Sequence, residues 1–280
     1  MDNVIIYGVG GTGERLYRQF AESKEFNVLC FADSAIDSPG KTKFGLPVIP
    51  RNLIKDFDFD YIIIATLPGL EPVTQSLTQE YNIPKEKIIR KYVEIPYESR
   101  IAFLKCQSLL TYENNLSGNI AEGGVFQGEF AKYMNRFFPD RKLYLFDTFE
   151  GFDMRDVQVE KEHSFSKSVE GYHNITHIDI VKEKMPHKEN CIFKKGYFPD
   201  SAHDVDDDFV FVNLDFDLYN PTSAGLEFFY PRLVKGGILL VHDYFSDVYM
   251  GVKQAVDEFR NKYKVPLCPI GDEISIAILK

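Results

Sequence analysis

Two acidic clusters, each closing an apolar run, hold the residues best suited to chemistry. The first is Phe209-Val-Phe-Val-Asn-Leu-Asp215-Phe-Asp217-Leu-Tyr219, the second Gly236-Gly-Ile-Leu-Leu-Val-His242-Asp243-Tyr244. Short apolar runs bounded by turn signals suit parallel strands covered on both faces. Ligands of such sheets bind beyond the carboxyl ends of the strands. Asp215, Asp217, His242 and Asp243 are therefore expected to converge on one edge, with enough oxygen and nitrogen donors for a divalent cation. Taken singly, each acid reads as a solvated residue in a strand-end turn. Their recurrence at two strand ends is what argues for a site.

Two glycine loops have a comparable setting. Gly8-Val-Gly10-Gly-Thr-Gly13 follows the apolar Val4-Ile-Ile-Tyr7 and leads into a helical stretch from Glu14 to Ser23. Small residues let backbone N–H groups approach a phosphate, and the helix dipole adds to the attraction. Asp33 lies where an acid holds a ribose hydroxyl in nucleotide-binding folds. A tight turn with close helix packing accounts for the same glycines without any ligand. Glu122-Gly-Gly124-Val-Phe-Gln-Gly128 repeats the strand–loop–helix arrangement, and Asp147 stands at the matching ribose distance. This second loop has no basic residue, and Glu122 would repel a pyrophosphate. A nucleoside ligand carrying a cation fits better, and S-adenosylmethionine is such a ligand.

These residues need a scaffold of alternating strands and helices. Residues 1–92 read as one Rossmann-like, nucleotide-binding module, 93–117 as a helical linker, and 118–280 as a second α/β unit. Strands of the second unit are expected near 119–123, 142–147, 191–195, 209–215 and 237–242. A closing hairpin turns at Gly271-Asp272 and supplies an antiparallel edge strand. Residues 153–175 are polar, lack periodicity and read as a mobile lid. His163, His173 and His177, in or beside it, read as surface histidines.

The motifs Asp147-Thr-Phe-Glu-Gly-Phe152, Asp215-Phe-Asp217-Leu-Tyr219-Asn-Pro-Thr222, Gly236-Gly and His242-Asp-Tyr244 resemble the macrocin O-methyltransferase family over about residues 117–280. The resemblance implies a seven-stranded class I methyltransferase fold. It also implies S-adenosylmethionine- and metal-dependent O-methylation of a sugar or nucleotide-sugar hydroxyl, in polysaccharide precursors for example. Asp215 matches the first metal ligand and Asp217 the general base, while His242 and Asp243 take the remaining ligand positions. Glu122, Gly124, Gly128, Asp147 and Thr148 would hold the cofactor. His242 departs from the family's usual aspartate. An imidazole ligates Mn²⁺, Fe²⁺ or Zn²⁺, whereas Mg²⁺ prefers oxygen. The N-terminal module lies outside this resemblance and is similar to nucleotide-binding units attached to surface-polysaccharide enzymes.

Bulk composition narrows the field further. A formal charge of −10 disfavours a nucleic-acid partner, which needs a basic footprint. No apolar run is long enough to span a membrane. The chain enters a strand within three residues, so no signal peptide is expected. Its four cysteines form no CxxC pair and suit reduced thiols of a cytoplasmic protein. A homo-oligomer is compatible with all of this. Two other readings compete: a non-catalytic nucleotide or nucleotide-sugar binder with a degenerate methyltransferase domain, and a nicotinamide-dependent oxidoreductase built on Gly8–Gly13. Neither unit offers a Tyr-x-x-x-Lys pair for hydride transfer.

Overall fold

A computed structural model describes residues 1–36 and 40–280. The chain divides into two compact units, Met1–Tyr97 and Glu98–Lys280.

The first unit contains β1 (Asp2–Tyr7), α1 (Gly11–Ser23), β2 (Phe26–Asp33), β3 (Lys41–Lys43), β4 (Leu46–Pro50), β5 (Tyr61–Ile64), α2 (Leu70–Gln79) and β6 (Ile88–Ile89). Its sheet runs β3-β4-β2-β1-β5-β6, parallel except for the β3–β4 pair. Alternation along β1 explains the two-faced core. Ile5 and Tyr7 join Leu70, Val73 and Leu77 of α2, whereas Val4 and Ile6 join Leu16 and Phe20 of α1. The strand β3 was not legible in Lys41-Thr-Lys43, which has no apolar residue to mark it.

The unit boundary falls inside α3 (Lys91–Glu113), the helix expected as a linker. Leu104 of α3 is fully buried in the second unit's core. There follow β7 (Asn119–Gly123), α4 (Ala131–Phe137), β8 (Leu143–Asp147), α5 (Met154–His163), α6 (Ile178–Lys184), β9 (Cys191–Lys195), β10 (Phe209–Leu214), α7 (Tyr219–Arg232), β11 (Leu233–Val241), α8 (Met250–Tyr263), β12 (Cys268–Pro269) and β13 (Ile276–Leu279). The sheet order is β12-β13-β11-β10-β7-β8-β9. Every residue of β10 is buried, as a central parallel strand requires.

Two expectations need correction here. The antiparallel strand, β13, does not lie at the edge: it pairs with both β11 and β12. Ile276, Ala277 and Ile278 are buried and demand cover on both sides, whereas the exposed Cys268-Pro269 includes a proline that cannot donate a ladder bond. The polar stretch 153–175 begins with a true helix, α5, whose Asp156, Val157 and Glu160 are buried. Asp156 accepts from Tyr197 Oη and Asn220 Nδ2, and Glu160 accepts from the Tyr219 amide at the start of α7 (2.8 Å). Buried carboxylates with specific partners replaced the apolar stripe that would have revealed the helix. Among the described residues, no helix is long and apolar enough to cross a membrane.

Candidate active site

The carboxyl ends of β7, β8, β10 and β11 each deliver an acidic residue, because adjacent parallel strands end at the same edge. Asp215, His242 and Asp243 each present one potential ligand atom, all within 4.8 Å of one another. His242 Nδ1 stands 2.9 Å from Asp215 Oδ1 and 2.8 Å from Asp243 Oδ2. Both Asp217 and Asp243 adopt left-handed backbone, φ +65° and +60°, a conformation that aspartate tolerates better than most residues. The strands thus turn sharply just after their last ladder bonds.

Arg100 of α3 completes this cluster. Its Nη2 donates to Asp215 Oδ2 (3.0 Å) and Asn213 Oδ1 (2.8 Å), and its guanidinium lies 4.3 Å from the Phe130 ring centroid. Asn213 in turn donates from Nδ2 to Glu122 Oε1 (2.8 Å). Burial alone would push the Asp215 carboxyl up. The charges of His242 and Arg100 outweigh burial and hold it far below the usual carboxylate range. Burial and Arg100 both work against a charged His242, yet the Asp215 and Asp243 carboxylates raise it to about 10. Asp217 is pushed well above the carboxylate range by burial, then by the Asp243 and Asp215 charges.

Glu122 is 2% exposed, and its Oε2 has no partner among the described residues. Burial, then the charge of Asp215, raises it to about 8. A buried acid with one open oxygen suits a cationic donor such as an ammonium group. Asp147 is engaged differently. Its Oδ2 accepts from the Phe126 amide (2.8 Å) and its Oδ1 from the Phe149 amide (2.7 Å). It therefore ties the glycine loop to its own turn. Thr148 Oγ1 donates to Gly151 O and shapes the same turn.

The glycines prove less open than the sequence suggested. Gly124 has φ +80°, and a Cβ there would fall 2.0 Å from Asp215 O. Gly128 similarly leaves space for Val181 of α6. In these two places protein atoms fill the gap.

The first unit repeats the device on a small scale. Asp33 accepts from the Val9 amide in the glycine loop (3.1 Å) and from the Ala35 amide (2.9 Å). Gly13 and Gly8 serve packing, since a Cβ on Gly13 would lie 2.1 Å from Gly8 O and one on Gly8 would lie 3.0 Å from Ala65 O. Gly10 alone of the three has nothing within 4 Å of the place a Cβ would occupy. Lys43 Nζ reaches Val9 O and pairs with Glu14 beside this loop.

Three residues, Asn213, Arg100 and Tyr249, escaped the sequence reading, and His173, read there as a surface histidine, is instead part-buried beside Asp217. Asn213 was visible in principle as the polar residue inside an otherwise apolar strand. Arg100 carried no signal, because it comes from a helix far away in sequence. His173 and Tyr249 are drawn to Asp217 by the fold alone: His173 Nε2 lies 3.7 Å from Asp217 Oδ2 and 3.4 Å from Tyr249 Oη.

The donor set suits a cation. Two carboxylates and an imidazole already converge on one point, with an N,O,O chemistry that favours Mn²⁺, Fe²⁺ or Zn²⁺ over Mg²⁺. The sheet order of the second unit, with one antiparallel strand inserted beside β11 and an acidic carboxyl edge, defines a class I methyltransferase-type α/β domain. The chain belongs to the macrocin-O-methyltransferase (TylF) family, whose model matches residues 98–273. Residues 1–89 match a second model, described as C2185-like, N-terminal.

Among similar proteins is a demethyldecarbamoylnovobiocin O-methyltransferase from Streptomyces niveus, 27% identical over 169 residues. Another is an 8-demethyl-8-(2,3-dimethoxy-alpha-L-rhamnosyl)-tetracenomycin-C 4'-O-methyltransferase from Streptomyces olivaceus, 25% identical over 166 residues. Each match covers 54% of this chain, but only 62% and 61% of the respective relative. Of solved structures, the O-methyltransferase NovP aligns with a TM-score of 0.55 and 20% identity, over 76% of this chain and 98% of NovP. The calicheamicin methyltransferase CalS11 aligns at 0.52 and 18%, over 76% of this chain and 91% of its own. At these identities the structural likeness speaks for the fold.

Proposed function

We propose that the protein is an S-adenosylmethionine-dependent O-methyltransferase acting on a sugar hydroxyl, free or nucleotide-linked. The convergence of Asp215, His242 and Asp243 beside Asp217 carries this reading, in a chain whose family is defined by such transfers. One related protein is named for methylating a rhamnosyl compound, which points the acceptor class toward a sugar. S-adenosylmethionine would supply the methyl group on a sulfonium. Glu122, with its open buried oxygen, would accept from the ammonium group of the methionyl part. Asp147 and Thr148 would hold the loop of Gly124 and Gly128 at the ribose, with Asp147 offering its remaining lone pairs to the hydroxyls.

Asp215, His242 and Asp243 would hold a divalent cation, which when bound lowers the pKa of a coordinated hydroxyl and orients it. Arg100 keeps Asp215 ionised and engages its Oδ2, while Oδ1 lies beside His242. Asp217 would accept the hydroxyl proton as general base, a contribution of about 10²–10⁴-fold. In the first unit, a Rossmann-like nucleotide-binding role rests on the open Gly10, the helix that follows it, and Asp33. A nucleotide-sugar acceptor would give both units one substrate class.

Isothermal titration with S-adenosylmethionine, in chelator and then with Mn²⁺ or Mg²⁺, tests the reading. Binding is expected, with Mn²⁺ more effective than Mg²⁺ in supporting transfer to nucleotide sugars. Absence of binding under every condition would overturn it.

A further inference from the structure

Asn213 is the one polar side chain of β10, and it is fully buried. An amide taken out of water destabilises the fold unless its hydrogen bonds are replaced, so its presence in a central strand calls for partners. The register shows where they lie. β10 runs parallel to β7 with Asn213 opposite Glu122, so the two side chains stand side by side on one face of the sheet. Phe211, two residues earlier and on the same side, packs in the cluster that holds Leu104 of α3. Arg100 lies one turn before Leu104 on that helix and comes to the same end of the strand.

The three groups form a continuous strut. Asn213 Nδ2 donates to Glu122 Oε1 (2.8 Å), and Asn213 Oδ1 accepts from Arg100 Nη2 (2.8 Å). The same Nη2 donates to Asp215 Oδ2 (3.0 Å), which joins the cofactor-side acid to the cation-side acid. Chemistry fixes the order of the chain. An ionised carboxylate only accepts and a guanidinium only donates, so the group between them needs a donor at one end and an acceptor at the other. An amide supplies both. Arg100 is itself held, 6% exposed, with its guanidinium 4.3 Å from the Phe130 ring centroid. One oxygen of Glu122 is therefore tied to a fixed base. The other, Oε2, is buried and has no partner among the described residues.

We propose that Asn213 is a positioning residue for the cofactor's amino group: anchored by Arg100, it sets the Glu122 carboxylate so that its free oxygen meets the ammonium of the methionyl end. The inference deepens the methyltransferase reading and rests on it. No bond is made or broken at Asn213, and its effect falls on the amino-acid end of the cofactor alone. The nucleoside end is served by another strand, through the turn of Asp147 and Thr148. Without the amide, Glu122 Oε1 loses its donor, and a buried acceptor left unpaired is costly. The carboxylate then turns to recover a partner and takes Oε2 away from the ammonium.

Two ligands separate this role from a merely structural one. S-adenosylhomocysteine and 5′-methylthioadenosine share adenosine and a thioether, and only the first carries the amino-acid end. Isothermal titration of each in chelator, into wild type, Asn213→Leu, Glu122→Gln and the double variant, gives the preference for S-adenosylhomocysteine. Leucine matches asparagine closely in size and has no polar atom. Asn213→Leu is expected to lower the preference by about tenfold or more, the scale of one hydrogen bond to a charged group, with 5′-methylthioadenosine affinity held within about threefold. The double variant should lose less than the product of the two single losses, since both act through one carboxylate.

An unchanged preference in Asn213→Leu, an equal loss for both ligands, or losses that multiply in the double variant would overturn the proposal. Should Asn213→Leu not fold, Asn213→Ser, whose hydroxyl is too short to reach Glu122 and Arg100 together, is read by the same criteria. Wild type that binds both ligands alike would refute the role of the strut and leave the methyltransferase reading standing. Wild type that binds neither would bring down that reading, and the proposal with it.

Discussion

At the residue scale, the site is a problem in charge balance. Asp215, Asp217, Asp243 and Glu122 crowd one strand edge, and Arg100 and His242 offset them from within. Asp215 wins both cations and stays ionised, while Asp217 and Glu122 are pushed toward the neutral form. Asp217→Asn should bind S-adenosylmethionine with unchanged affinity yet lose about 10²–10⁴-fold in turnover, measured by titration and by methyl transfer; equal activity would remove Asp217 from its role. Glu122 holds a proton in the folded protein that the unfolded chain releases at its ordinary, lower value. Its contribution to stability is therefore greatest below that ordinary value, and stability declines as pH rises toward about 8. Glu122→Gln should flatten the decline, which urea unfolding at several pH values would reveal. These identities were legible as candidates: Asp215, Asp217, His242, Asp243, Glu122 and Asp147 are all placed at strand ends. Their pairings were not, because Arg100, Asn213, His173 and Tyr249 reach them from segments distant in sequence.

At the element scale, glycine loops that look alike in sequence do different work. Gly124 is a packing residue at a positive φ, wedged against the Asp215 backbone, whereas Gly10 opens toward solvent at the start of α1. Gly124→Ala should therefore cost roughly 2–4 kcal/mol of stability and misplace the metal-side turn. Gly10→Ala should stay within about 1 kcal/mol of wild type. Thermal melts of the two variants check both, and similar losses would deny the distinction. The helix α5 carries a further lesson of this scale. Its inward face bears Asp156 and Glu160 instead of a full apolar stripe, so periodicity of hydrophobic residues could not announce it. Where a helix docks through hydrogen bonds to another helix's first turn, the signal lies in the partner and not in the segment itself.

At the scale of the whole molecule, each unit has its own two-faced core and its own glycine loop closed by an aspartate, Asp33 in one and Asp147 in the other. Ligands of the two should then act separately on stability. At about a hundred times its dissociation constant, S-adenosylmethionine should stabilise the second unit by roughly 2.7 kcal/mol. Calorimetry should show that shift unchanged in Gly10→Ala, whereas a shift lost with Gly10 would place the cofactor in the first unit. The formal charge of −10 fits small-molecule partners better than polyanions.

The sequence by itself determined the alternation of strands and helices, the strands that end in acids, and the family motifs, because apolar runs and turn residues act locally and a parallel sheet brings its carboxyl ends to one edge. Only the tertiary structure decided that β13 lies inside the sheet, that Gly124 faces protein, that Arg100 neutralises Asp215, and that His173 reaches Asp217. Each of those depends on which distant segments meet, and burial gives such meetings their electrostatic force: a carboxylate unremarkable in water becomes, out of water, a group whose protonation is set by the one cation or imidazole beside it.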